Sequence, residues 1–136
     1  MVNGQITGAM KRIFILIISL LTLMSARAQK CDNIKQGKFR MSDAENPEYL
    51  ITRTANHQIE ENKTTGLKMQ FDVKWTSDCN YELSKPKVLK GEAPFPVSDN
   101  HVLYVKVTKV TSTYYTTEVT ANFSDFKVDF KIQILE

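Results

Sequence analysis

From Leu67 to Trp75 the chain reads LKMQFDVKW, with an apolar residue at every second position and a polar or charged one between. Leu67, Met69, Phe71, Val73 and Trp75 fall on one face of an extended strand, and Lys68, Gln70, Asp72 and Lys74 on the other. Near the C-terminus FKVDFKIQI repeats the device, setting Phe126, Val128, Phe130, Ile132 and Ile134 against Lys127, Asp129, Lys131 and Gln133. A helix would scatter these side chains around its circumference, whereas an antiparallel strand with one wet face requires this period. Two such segments in so short a chain constrain the fold more than any other feature of the sequence.

Shorter runs fit around them. Gly37–Met41, Glu48–Thr54 and His57–Glu61 read as strands, the last two joined across Ala55-Asn56. YEL after Trp75, then Val102–Val110 and Tyr114–Ala121, supply further β-branched and aromatic stretches. ENKTTG, ending at Gly66, and NFSD (Asn122–Asp125) are turns. The spacing leaves no room for crossover helices, so the expectation is an all-β antiparallel meander of about eight strands. It would close as a small lipocalin-like barrel, or else form a curved open sheet or a sandwich. The segment from Ser84 to Asn100 carries Pro86, Pro94 and Pro96 and reads as a long loop, because proline cannot donate to a ladder.

The N-terminus is read as a targeting segment. From Met10, the basic pair Lys11-Arg12 precedes an apolar run to Met24, followed by Ala26 and Ala28, which are the three parts of a secretory signal peptide. The run is shorter than the roughly 20 residues a permanent transmembrane helix needs. The expectation is a signal helix within residues 1–28, a true start at Met10, cleavage after Ala28, and a single β domain over 29–136. Lys30 before Cys31 does not fit a lipoprotein signal, which wants a small residue there; lipidation of Cys31 is the lesser alternative. Lys11, Arg12 and Arg27 account for the whole formal excess of +3, so the remainder is formally neutral. Nucleic-acid binding, which draws on surplus Lys and Arg, is therefore not expected. The expected location is the periplasm, the outer envelope or the extracellular space.

The 2 cysteines of an exported chain are most simply one disulfide, Cys31 to Cys79, tying the N-terminal lead to the polar corner TSDCN. Its Cα atoms would then lie roughly 4.4–6.8 Å apart.

No catalytic constellation stands out. His57 and His101, the 2 histidines, sit at expected strand ends among polar residues and read as surface groups, so no metal and no cofactor is expected. There is no G-x-S-x-G and no phosphate-cradling loop. Glu60 and Glu61 are adjacent on a strand and point to opposite faces. Phe71, Trp75, Tyr81 and Phe130 either line a ligand cavity or fill the core, and core is the commoner role of such aromatics. Gln58 and Glu60 share a face opposite Ile59, read here as a solvated hairpin face in preference to a polar ligand patch. A cross-strand ion pair between Arg53 and Glu60 would contribute about 0.2–1 kcal/mol. Asn62 in NKT and Asn122 in NFS match glycosylation acceptors by chance.

Cys31, Gly37-Lys38-Phe39, Ile51 and Arg53, Gln58 and Glu60, then Trp75, Ser77, Asp78, Cys79 and Tyr81 form a C…GKF…IxR…QxE…WxSDCxY pattern. In this the chain resembles a group of short secreted bacterial β-proteins of unknown function, some of which go by the name DNA topoisomerase IV. An exported, neutral and short chain opposes that name, and the resemblance implies no activity. The expected function is a non-enzymatic binding or interaction module for an unknown small molecule or an envelope or protein partner. The alternatives are a small hydrolase or isomerase at a barrel mouth, and a structural envelope protein assembling through strand edges.

Overall fold

In a computed structural model the chain forms a closed eight-stranded barrel, with each strand hydrogen-bonded to its neighbours in sequence and the last to the first. The structure describes residues 30–43, 45 and 47–135, so the expected signal segment lies outside the described residues. The strands are β1 (Gly37–Met41), β2 (Tyr49–Arg53), β3 (His57–Asn62), β4 (Lys68–Trp75), β5 (Asn80–Lys90), β6 (Val102–Val110), β7 (Tyr114–Ala121) and β8 (Lys127–Ile134). All pairings are antiparallel. Closure comes from β1 on β8, with Phe39 opposite Ile134 and Met41 opposite Ile132. Of the three solutions open to a meander of one-sided strands, the chain takes the barrel, which leaves no free sheet edge along its paired length. Among the described residues, no helix is long and apolar enough to cross a membrane.

An up-and-down meander sends alternate connections to alternate ends. The short turns after β2, β4 and β6 share one end. There Thr54 N–H donates to His57 O (2.9 Å), Thr76 N–H to Asn80 O (2.9 Å) and Thr111 N–H to Tyr114 O (2.8 Å). A 3-10 turn, η1 (Asp32–Ile34), closes that end, and Cys31 and Ile34 are fully buried in it. The longer connections after β1, β5 and β7 gather at the other end, which is open.

The disulfide Cys31–Cys79 is present, with Cα atoms 5.4 Å apart. It fastens the 3-10 turn to the β4–β5 corner, and Lys35 adds an ion pair to Asp78 (3.4 Å) beside it. With its sulfur in that bond, Cys31 has none left for a lipid thioether.

One expectation is corrected. The proline-bearing segment does not start as a loop at Ser84, because β5 runs on through Pro86 to Lys90. The register against β4 shifts between Gln70 and Asp72, so Lys85 and Pro86 occupy a bulge in which no ladder donor is required of the proline. Lys85 takes φ 48° there. β6 pairs β5 only as far as Ser84, so the extension faces no ladder on that side. The true loop covers 91–101. It opens at Gly91, whose φ of +82° strains any other residue and where a Cβ would press to 3.2 Å from Leu67 Cα. Gly91→Ala is expected to cost about 1–3 kcal/mol, the usual penalty of a left-handed non-glycine residue. Urea unfolding of the variant measures it, and an unchanged midpoint would refute the steric account.

Candidate functional site: a cavity with a polar floor

Inside the barrel lies a cavity of about 580 Å³, within the range usual for small-molecule sites. Its wall is built from the inward positions of the alternating strands: Ile51, Met69, Phe71, Leu83, Leu103, Val105, Val119, Val128, Phe130 and Ile132. The β1–β2 loop gives Pro47 to the mouth, the 91–101 loop gives Pro94, Phe95, Val97 and His101, and the β7–β8 connection gives Phe123 and Phe126. Phe95 (54 %), Phe123 (42 %) and Val128 (39 %) are among the most exposed large apolar residues of those described, and all three line this opening. Apolar surface left in water at the entrance to an apolar cavity marks a binding site more often than a defect.

Glu60 and Tyr81 line the polar end of the cavity, and behind them a hydrogen-bonded cluster, the floor, centres on Arg53, 2 % exposed. Its Nε donates to Gln58 Oε1 (2.7 Å), Nη1 to Ile34 O (2.6 Å), and Nη2 to the hydroxyls of Tyr81 (2.9 Å) and Tyr115 (3.0 Å). The guanidinium carbon also lies 4.6 Å from the Tyr81 ring centroid and 4.9 Å from that of Phe39. Arginine is charged at every accessible pH, so the barrel holds a permanent cation whose donors are met by four acceptors and whose faces meet aromatic rings. Burial pushes Tyr81 well above the ordinary tyrosine value and Tyr115 in the same direction, so both floor hydroxyls keep their protons.

Gln58 carries the contact onward, its Nε2 donating to Glu60 Oε1 (2.8 Å). The expected solvated face is thus overturned. Gln58 and Glu60 point into the barrel, and Ile59 and Glu61 point out. The cause is register: Arg53 pairs with Gln58 across the tight β2–β3 turn, so the two share a face. Arg53 shares its face in turn with Tyr49 and Ile51. The expected Arg53–Glu60 ion pair is likewise replaced by the relay through Gln58. Glu61, as its parity required, is outside, with Lys63 (3.2 Å) and Lys68 (3.7 Å).

Burial raises the Glu60 carboxyl above its ordinary value, against smaller opposing effects of the Gln58 hydrogen bond and the Arg53 charge. Between the ordinary value of 4.5 and the raised one, the folded protein binds more protons than the unfolded chain, so stability falls as pH rises through that window. Glu60→Gln is expected to flatten this descending limb and to be at least as stable as the wild type above it. Urea midpoints at a series of pH values measure this, and a limb of unchanged slope would refute it.

Of the aromatics singled out in the sequence, Phe71, Tyr81 and Phe130 line the cavity. Trp75 does not. It packs on Tyr81 beneath the floor (centroids 4.6 Å apart), with Lys35 Nζ 5.3 Å from its ring centroid. His57 is on the outer surface, where Nε2 lies 3.5 Å from Asp72 Oδ1. His101 is not the plain surface residue expected, since it lines the mouth stacked on Phe123 (4.1 Å). Asn62 is buried, donating to Tyr49 Oη and accepting from the Thr64 and Thr65 amides, and Asn122 bonds Asn100 O and the Val102 amide. Both amides are thus used in turn structure. Among the described residues no three His, Cys, Asp or Glu side chains group as a metal site.

Comparison with known proteins gives no match: no family model, no curated protein and no solved structure matches the chain.

Proposed function

We propose that this protein is an exported binding module that takes a largely apolar small molecule into the barrel through the Phe95–Phe123–Val128 mouth. The observation that carries this is the cavity of about 580 Å³, apolar in its walls, plugged at one end and open at the other. A chain of this size gains stability by filling its interior, so an unfilled barrel is a cost that binding would recover. Export fits the disulfide, which persists in oxidising compartments. Edge-to-edge assembly into an envelope structure is less favoured, because closure gives every strand a hydrogen-bonded neighbour on both sides.

An apolar fluorophore titrated into the purified protein tests the reading. It should bind one per chain, and Val128→Trp, which adds bulk at the mouth where there is space for it, should weaken binding by about tenfold or more while leaving the thermal transition in place. Stoichiometric binding unaffected by Val128→Trp, or no binding, would overturn it. Native mass spectrometry of protein purified from its own host would show any retained ligand directly.

A further inference from the structure

Resting on that interior-binding reading, we infer that the ligand is an amphiphile whose polar head donates a hydrogen bond to Glu60, an alcohol or an amine rather than a carboxylate. The orientation of the floor fixes this. Arg53 can only donate, so the Gln58 atom 2.7 Å from its Nε is the amide oxygen. The Gln58 NH₂ group must then face Glu60, and Glu60 Oε1 must accept from it. Glu60 therefore turns an acceptor-bearing carboxyl toward the cavity it lines, and its other oxygen has no donor among the described residues.

A second observation lies across the same cavity, on β7. Thr117 lines the cavity, is 1 % exposed, and its hydroxyl has no hydrogen-bond partner. A buried hydroxyl without a partner is costly, as is a carboxyl set among apolar side chains. Sites that tolerate such groups commonly use them to orient a ligand. An alcohol head suits both, donating to Glu60 and accepting from Thr117, and an amine also meets Glu60 with donors. A carboxylate head would set like charges together in a low-dielectric cavity. The apolar tail would lie along Phe71, Leu83 and Val105 toward the mouth.

Displacement of the apolar fluorophore by decanol, decylamine and decanoate tests this, at about pH 8, where free carboxylates are fully ionised. Decanol and decylamine are expected to displace it at concentrations at least about tenfold below decanoate. Glu60→Gln should narrow the gap to within about threefold, since its amide neither carries charge nor repels the carboxylate. Decanoate equal to or better than decanol on the wild type would overturn the inference and leave interior binding standing. So would an unchanged preference in a folded Glu60→Gln. The wild-type comparison decides by itself if that variant does not fold. Failure of the fluorophore to bind the wild type at all would overturn both readings.

Discussion

Arg53→Met is expected to cost about 3–5 kcal/mol, because removing a buried charged hydrogen-bonding group strands its partners rather than deleting one contact. Ile34 O, Gln58 Oε1 and the hydroxyls of Tyr81 and Tyr115 would all lose a donor at once. Glu60 would lose the nearby positive charge that partly offsets its burial. Against a typical net stability of about 5–15 kcal/mol, this brings the chain close to unfolding. Arg53→Lys separates charge from geometry: lysine restores the cation but cannot reach four acceptors in a planar fork, so most of the loss should remain. Arg40→Met is the control, since Arg40 faces outward in an exposed pair with Glu48 at 2.9 Å and should cost less than about 1 kcal/mol. Urea unfolding followed by Trp75, the 1 tryptophan, gives all three values. An Arg53→Met midpoint close to that of Arg40→Met would refute the central role of the floor.

The second large effect is expected from Cys31→Ser with Cys79→Ser. The bond joins residues 48 apart in sequence, and the loop model assigns about 4 kcal/mol to a closure of that length, within an observed range of about 2–5. A local consequence follows from what the bond holds. Cys31 and Ile34 belong to the 3-10 turn that plugs the barrel, and Ile34 O accepts from Arg53. Loss of the disulfide frees the plug, and with it one acceptor of the buried guanidinium. The costs of the serine pair and of Arg53→Met should therefore be less than additive, by about 0.5–3 kcal/mol. A double-mutant cycle in urea measures the coupling, and strict additivity would show that plug and floor are independent. A thiol assay of the denatured, non-reduced wild type should find no free thiol, consistent with both cysteines bonded.

Most of the β framework could be read without coordinates, because each strand carries its own instruction. LKMQFDVKW and FKVDFKIQI state both the strand and its buried face, and the structure places them in β4 and β8 with those faces inward. Ala55-Asn56, the glycine-ended ENKTTG and NFSD mark turns by local backbone chemistry. The disulfide was legible because two cysteines permit only one intramolecular pairing. β5 was misread at Pro86 because whether a proline is tolerated in a strand depends on the partner strand's register, and no local residue states that Lys85 and Pro86 form a bulge against β4.

The candidate site was half legible. Phe71, Tyr81 and Phe130 were visible as inward aromatics, but whether they meet each other or enclose a space depends on the curvature of the whole sheet. HQIEE was misread for a related reason. Its alternation permits either face to be buried, and hydrophobicity alone favours Ile59 over Gln58 and Glu60. The signal that could have reversed this was Arg53, in phase with Tyr49 and Ile51 and five residues before Gln58, its partner across the turn. Ordinary preference places an arginine outside, and only a cage of acceptors makes its burial tolerable. Those acceptors come from η1, β3, β5 and β7, far apart in the chain. The sequence by itself thus determined the strands, their order and the staple, because period, turn chemistry and cysteine number act locally. Only the tertiary structure decided that the meander closes, that a cavity remains within it, and that Arg53 and Gln58 lie buried behind the Glu60 that lines it, because each depends on side chains that meet only when the first strand reaches the last.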